Sequence, residues 1–568
     1  MQSPQTSLRN PRVWFALVWL TIVCGCFFSV ALVKKPLFTR WDFWVFVPDL
    51  FDPPERGPDG GHAGWEYFPQ RLDLIGVAAF VLAGAWGIGH LVLRLLRLPF
   101  TPRSLERTVF AFAVGLSALS LITLGAGLMG YLSRPLLASL LAAASLGEIA
   151  LRVFPFAKSA AHSVSTPEPH SAFRLPPSAL LLLPLAPFLL AMFLGSLLPS
   201  TDFDVNEYHF EGPKEFFQAG RISFLEHNVY TSFPFATEML TLLAMVLRDD
   251  WYRGALAGKC VLMCFGPLTG LALFAAGRHW FGTAAGVFAA FFYLAAPWAY
   301  RISTIAYAEG GLCFFLFAAL YAVTLAVDQI DEIDARAASR RFLLAGLLAG
   351  SAMACKYPGL VSVVIPLALV VAMCSWKLRW RWSAWGTFVL GVCITVGPWL
   401  LKNAVETGNP VYPLAYRVFG GRDWDAALNA RWRAAHSPSD YGLESLFGLA
   451  LDIVYRNTWV SPLIFALAPL ALFMPAAQRQ ARWLWLYVAW LFLSCWLLTH
   501  RIDRFWVPLL PVATLLAGCG AGWCWSAFPR GFGKLLLLIP VTVVGVFQLA
   551  FITSSAGFCG YNDFLRDL

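Results

Sequence analysis

Apolar runs of about twenty residues recur along almost the whole chain, the length an α-helix needs to cross a bilayer. Of the 568 residues, 58% are hydrophobic and 13% charged. A soluble domain carries about 25% charged residues, so the chain reads as one polytopic, all-α membrane bundle rather than as several soluble domains. The 24 Trp and 47 Phe suit aromatic belts at two bilayer surfaces. The net charge of +9 is scattered over short loops, which positive-inside topology explains better than nucleic acid does. The 12 Cys show no metal-ligand spacing, and most fall in apolar runs, where they read as small buried hydrophobes.

Counting the runs predicts about fifteen spans. The first, residues 13–33, follows Arg9 and Arg12 and reads as a retained signal anchor with its N-terminus inside. Arg97, Arg103 and Arg107, then Arg152, Lys158 and Arg174, then Lys377, Arg379 and Arg381, and finally Arg479, Arg482, Arg530 and Lys534 mark successive cytoplasmic loops. Between them lie a turn-rich outer stretch at residues 52–61 and a Ser/Pro/His-rich linker at 159–171. Residues 1–177 form an N-terminal membrane region of about four spans, 178–527 a membrane core, and 528–568 a last span with an extracytoplasmic tail.

The core opens on a polar island at residues 201–238, reading TDFDVNEYHFEGPKEFFQAGRISFLEHNVYTSFPFATE. A membrane protein keeps so many ionisable groups only where water or a polar substrate meets the bilayer. The topology places four further polar segments on the same outer face: the loop with Glu309, the Lys356 corner, residues 402–456, and the short loop His500–Arg504. Arg501 and Arg504 violate the positive-inside rule in that short loop, which points to something anionic held on that face. If residue 204 begins a helix, Asp204, Glu207 and Tyr208 share one face. Two carboxylates and a tyrosine facing a cleft suit proton abstraction from a hydroxyl. Asp202 or Asp204 equally reads as the N-cap of a helix to Gln218, with Gly220 as its C-cap.

Four segments carry a resemblance. They are Asp204-Val205-Asn206-Glu207-Tyr208-His209; Gly346-Leu347-Leu348-Ala349-Gly350 running to Lys356-Tyr357; Pro398-Trp399-Leu400-Leu401-Lys402-Asn403 running to Thr407-Gly408-Asn409-Pro410-Val411-Tyr412-Pro413; and Arg504-Phe505 followed by Pro508 and Pro511. In this order they resemble the GT-C superfamily of polyprenyl-phosphate-sugar-dependent glycosyltransferases, in the branch related to protein O-mannosyltransferases and the lipid A aminoarabinose transferase. The first resembles the DxxxYH form of that family's first large extracytoplasmic loop. The resemblance covers about residues 178–527 and leaves the earlier spans without a functional account.

The resemblance implies a GT-C-like bundle with short helices in its extracytoplasmic loops, set in the cell (inner) membrane. It implies sugar transfer, with inversion, from a polyprenyl phosphate to a hydroxyl of a protein, lipid or glycan. Asp204 would be the general base, with Glu207 as a second acid. Lys356, Arg501 and Arg504 would hold the phosphate. Tyr208, His209, His227, Asn228, Glu309, Tyr357, Lys402 and Asn403 would line the donor and acceptor pocket. No residue is assigned to a metal; Val205 stands where many relatives have a second acid, and a divalent metal stays open with Glu207 as the substitute ligand. Each residue has a plainer reading: Glu309 as a solvated helix end, Lys356 as a snorkelling lysine, the two arginines as partners of loop acids. A secondary transporter would predict internal repeats and midplane polar groups, which the sequence does not display. A non-enzymatic component of envelope assembly, or a ligase or polymerase of lipid-linked glycans, completes the alternatives.

Overall fold

Runs of Leu, Ala, Phe and Val with few breakers leave the backbone one economical way to satisfy its own polar groups, and helices account for nearly all of the computed structural model. It describes residues 10–32, 35–46, 65–98, 100, 104–153, 183–330, 334–377, 383–438, 440–529 and 531–553. A short antiparallel hairpin pairs Ala31–Leu32 with Lys35–Thr39. The turn-rich stretch at 52–61, the linker at 159–171 and the tail beyond 553 lie outside the described residues. So do Arg9, Arg103, Lys158, Arg174, Arg379, Arg381 and Arg530.

The expected number of spans needs correction. Ten helices among the described residues are long and apolar enough to cross a membrane, or eleven if one bent pair counts as a single span. Three apolar stretches, Leu183–Ser196, Leu360–Trp376 and Pro462–Phe473, fold as shorter helices. The helix Ala335–Cys355 is long enough but carries Arg336, Arg340 and Arg341 in its first two turns. Hydropathy registers each of these segments as apolar; within the described residues their helix length or terminal charge keeps them out of the ten, and residues 178–182 and 378–382, beside two of them, lie outside the description.

Close helix packing sets the position of the polar end of the bundle. Asp334 caps Ala335–Cys355 by accepting from the amide of Ala337 at 2.6 Å. That helix lies hard against Ser383–Thr407. A Cβ added at Gly346 would come within 2.0 Å of the Phe388 carbonyl oxygen, and one at Gly391 within 2.6 Å of that of Leu343. Small residues at such a seam let two backbones approach. Thr395 donates across it to the Leu347 carbonyl at 3.2 Å. The seam brings Lys356, where the chain leaves the first helix in extended conformation, beside the Asn403 turn of the second. Ser117 meets Ser351 at 2.7 Å and ties the N-terminal helices to the same unit.

A second device is a broken helix. Thr283–Ala295 and Pro297–Thr304 meet at 61°, with Pro297 at the first position of the new helix, where its missing N–H costs nothing. What the sequence presents as a short outer loop is therefore a helix and a corner. Tyr307 sits in the corner, and Glu309 opens the buried helix Glu309–Asp328.

Candidate active site

The island folds around one irregular turn. Residues Val205–His209 form a π-helical turn, closed by the Phe210 amide donating to the Val205 carbonyl at 2.8 Å. Wider i→i+5 closure changes which side chains share a face. Tyr208 and His209 turn inward and are buried, whereas Glu207 is exposed. The expected shared face of Asp204, Glu207 and Tyr208 is thus corrected: Asp204, Tyr208 and His209 line one cavity, and Glu207 is not among its walls. Asp202 takes the capping role, its carboxylate accepting from the amides of Asp204 at 3.1 Å and Val205 at 3.4 Å. The Tyr307 hydroxyl donates to the other Asp202 oxygen at 2.7 Å. Gly220, with φ of 67°, closes the following helix Glu211–Ala219 as expected.

Freed from capping, Asp204 pairs with the Arg504 guanidinium. Arg504 Nε also lies 3.9 Å from Glu309 Oε1, which receives the Lys356 ammonium at 2.6 Å. Two cations and two carboxylates from four separate segments thus form one network, and the Glu309 side chain at its centre is 2% exposed. Aromatic faces complete the cation sites, Tyr307 beneath Arg504 at 5.1 Å and Phe505 beneath Lys356 at 4.9 Å. Beside the network, His209 Nδ1 donates to Glu238 Oε1 at 2.5 Å, and Thr237 donates to the other Glu238 oxygen at 2.9 Å. His209 Nε2, Glu309 Oε2 and Arg504 Nε are buried without a hydrogen-bond partner. Tyr208 stacks on Tyr230 at 4.8 Å. Burial pushes the Tyr208 and Tyr307 hydroxyls well above the usual phenol range, so both remain donors.

Asp204, Tyr208, His209, Tyr230, Glu238, Lys356 and Arg504 line a cavity of about 250 Å³, and Glu309 and Tyr307 are not among its walls. A larger groove of about 690 Å³ adjoins it, lined by apolar side chains such as Leu360, Val361, Leu491 and Leu498 together with the Tyr357 corner. Phe233, Lys356, Trp432, His436, His500 and Phe505 line both. The arrangement can hold an amphiphile, with its polar end among charges and its chain along an apolar wall.

The remaining candidates separate clearly. Tyr357 and Asn403 support the wall: Asn403 donates to the Tyr357 hydroxyl at 3.1 Å and to the Ser232 carbonyl at 2.7 Å. Asn228 donates to the Glu207 carbonyl at 2.9 Å and so steadies the π-turn. Three others are not brought to the cavity. His227 is exposed and meets Glu215 at 2.9 Å. Lys402 is buried against Glu406 at 2.8 Å. Arg501 donates to the Asp440 carbonyl and to the Trp496 carbonyl, the latter at 3.0 Å, and anchors the outer loop. The sequence gives no signal that assigns Tyr307 or His436 and only a weak one for Glu238, yet Glu238 and His436 line the cavity and Tyr307 holds both Asp202 and Arg504. An acid in the first turn of an apolar helix was the available signal for Glu238. Among the described residues, no three His, Cys, Asp or Glu side chains gather as a metal site. Asp204 is paired with Arg504, and Glu207 faces solvent.

Residues 234–399 match the family model described as dolichyl-phosphate-mannose-protein mannosyltransferase. That segment contains Glu238, Tyr307, Glu309, Lys356 and Tyr357. No curated protein sequence matches significantly. Among solved structures, ArnT from Cupriavidus metallidurans bound to undecaprenyl phosphate is similar, with 18% identity and a TM-score of 0.49 over 65% of this chain and 64% of that one. The oligosaccharyltransferase of Archaeoglobus fulgidus, tethered to an acceptor peptide, shows 12% identity and a TM-score of 0.40 over 65% and 55% of the two chains. The chain therefore spans slightly under two thirds of the ArnT it matches. Residues 234–399 are thus similar to dolichyl-phosphate-mannose-protein mannosyltransferases, and the Asp204 and Arg504 motifs lie outside that match.

Proposed function

We propose that the protein is a membrane glycosyltransferase that moves a sugar from a polyprenyl phosphate to an acceptor hydroxyl of a protein, lipid or glycan. One observation carries this reading: the charged cavity with Lys356 and Arg504 opens into an apolar groove. A sugar linked through phosphate to a long apolar chain has that same division of polarity. The site would face the extracytoplasmic side of the cell membrane, where lipid-linked sugars meet their acceptors.

In the reaction, the acceptor oxygen attacks the anomeric carbon and the bond from that carbon to the phosphate oxygen breaks. The electron pair stays on the phosphate. Direct displacement inverts the anomeric centre. Asp204, with one oxygen held by Arg504, receives the acceptor's proton through the other. Lys356 and Arg504 offset the charge left on the phosphate.

The test uses membranes containing the protein and radiolabelled polyprenyl-phosphate sugars. Label should move to protein, lipid or glycan, and Asp204→Asn should lower the rate by about a hundredfold or more while expression and membrane insertion are unchanged. Solute uptake without label transfer would replace this reading with a transporter. Full activity in the Asp204→Asn protein would remove Asp204 as the base.

A further inference from the structure

Six residues line both the polar cavity and the apolar groove, and three of them carry groups that suit an anion: Lys356, His436 and His500. If the sugar occupies the cavity and the lipid chain the groove, the phosphate joining them has to lie at this junction. The two histidines arrive there from distant parts of the chain. His436 ends the helix Ala426–His436, stacks on Trp432 at 3.8 Å, and donates its Nδ1–H to the Trp432 carbonyl at 2.9 Å. That bond leaves Nε2 as the nitrogen free to meet a ligand. His500 lies between the helix Gln478–Leu498 and the turn Asp503–Phe505, with its ring 5.3 Å from that of His436 and 4.9 Å from Phe505.

Building on the lipid-phosphate reading above, we propose that His436 and His500 seat the donor phosphate together with Lys356, and that they take up a proton from water as the phosphate becomes the leaving group. The charge balance requires such a sink. A sugar phosphodiester carries one negative charge. Once its bond to the sugar breaks and keeps its electron pair on oxygen, a monoester remains with up to two, its second ionisation falling near pH 6. Lys356 and Arg504 are already committed to Glu309 and Asp204. An imidazole near neutrality supplies the additional positive charge on demand.

The surroundings of His500 favour this coupling. Its pKa lies below the ordinary imidazole value, first through burial and then through the positive groups facing it: His436 from the outer helix, Arg504 from its own segment and Lys356 from the helix corner. Asp204, from the π-turn, acts in the opposite sense. Arg417 and Arg433 also line the groove, Arg433 one helical turn before His436. A phosphate placed among these cations neutralises them, and the imidazole then accepts a proton. Binding of the anion and protonation of the pair thus reinforce each other.

Farnesyl phosphate and the uncharged farnesol serve as probes with the full chain in detergent. Each of His436→Gln and His500→Gln should weaken farnesyl phosphate binding about tenfold near pH 6, the value of one charge-assisted hydrogen bond. Near pH 8.5, well above the ordinary imidazole range, the same variants should match the wild type to within about twofold. Protonation of the phosphate itself is common to all the proteins and cancels in the comparison. Farnesol binding should be unchanged throughout, which also reports an intact groove. For the wild type alone, calorimetry near pH 7.5 in buffers of different ionisation enthalpy should register net proton uptake on binding farnesyl phosphate. Variants that bind like the wild type near pH 6, or an absence of proton uptake, would overturn the proposal while leaving the transferase reading intact. A wild type that binds farnesyl phosphate no better than farnesol at either pH would overturn both.

Discussion

The buried pair of Glu309 and Lys356 gives the sharpest energetic test of the site. Their contact is 2.6 Å, with side-chain exposures of 2% for Glu309 and 15% for Lys356. At an effective dielectric constant of about 20, two unit charges at that separation attract by about 6 kcal/mol. Desolvation of a carboxylate this deeply buried offsets much of it, so the pair as a whole contributes little net stability. Breaking it from one side is different. Glu309→Gln leaves the Lys356 ammonium without its acceptor, and Lys356→Met leaves the carboxylate uncompensated except for Arg504 at 3.9 Å. Each single change should destabilise by about 3 kcal/mol or somewhat more.

The assay is reversible unfolding in mixed detergent micelles, run as a double-mutant cycle. The double variant should lose less stability than the two single losses combined, with a coupling of about 1–3 kcal/mol. Sugar transfer should remain absent in the double variant, because restoring charge balance does not restore the proposed phosphate ligand. Additive single effects, with coupling under about 0.5 kcal/mol, would refute the buried ion pair. Transfer in the double variant would refute Lys356 as a phosphate partner.

Two further outcomes follow from the same geometry. Arg504→Ala should reduce sugar transfer by about a hundredfold or more, since it removes the partner of Asp204 and, under the proposed function, a phosphate ligand. Arg501→Ala should cost less than about tenfold, because that side chain holds the Asp440 loop; steady-state transfer rates of the two variants, side by side, check both claims. Gly346→Leu should destabilise the bundle by about 1–3 kcal/mol or prevent assembly, because its Cβ would meet the Phe388 carbonyl at 2.0 Å. Gly386→Leu, on the partner helix with nothing within 4 Å of the added atom, is the control and should melt like the wild type.

Much of the architecture was legible from hydropathy. Composition alone gives a helical membrane bundle, whereas the Gly346–Gly350 segment stood in the sequence only as part of a family resemblance, and the structure makes it the seam that sets Lys356 in place. The span count fails where hydropathy and geometry part company. A run such as Pro462–Phe473 is apolar because protein surrounds it, and no periodicity separates that from lipid contact. The site was legible in its charges and less so in its register. Asp204, Glu309, Lys356 and Arg504 stood out because ionisable groups between apolar runs are costly. Glu207 was misplaced because an i, i+3, i+4 pattern presumes an α-helix, and the π-turn at Val205–His209 breaks that premise.

The two arginines show where one-dimensional reasoning stops. Arg501 and Arg504 share the loop, the residue type and the violation of topology, and nothing in their spacing tells them apart. What separates them is backbone. Arg501 adopts φ of 61°, in the left-handed region that side chains seldom enter, and the chain then winds into the tight turn Asp503–Phe505. That reversal sends one guanidinium outward to the Asp440 loop and the other inward to Asp204 and Glu309. The same loop therefore fastens the outer helix bearing His436 and supplies the cation at the centre of the cavity. A change that relaxes residue 501 into an extended backbone would disturb both at once, even with Arg504 left intact.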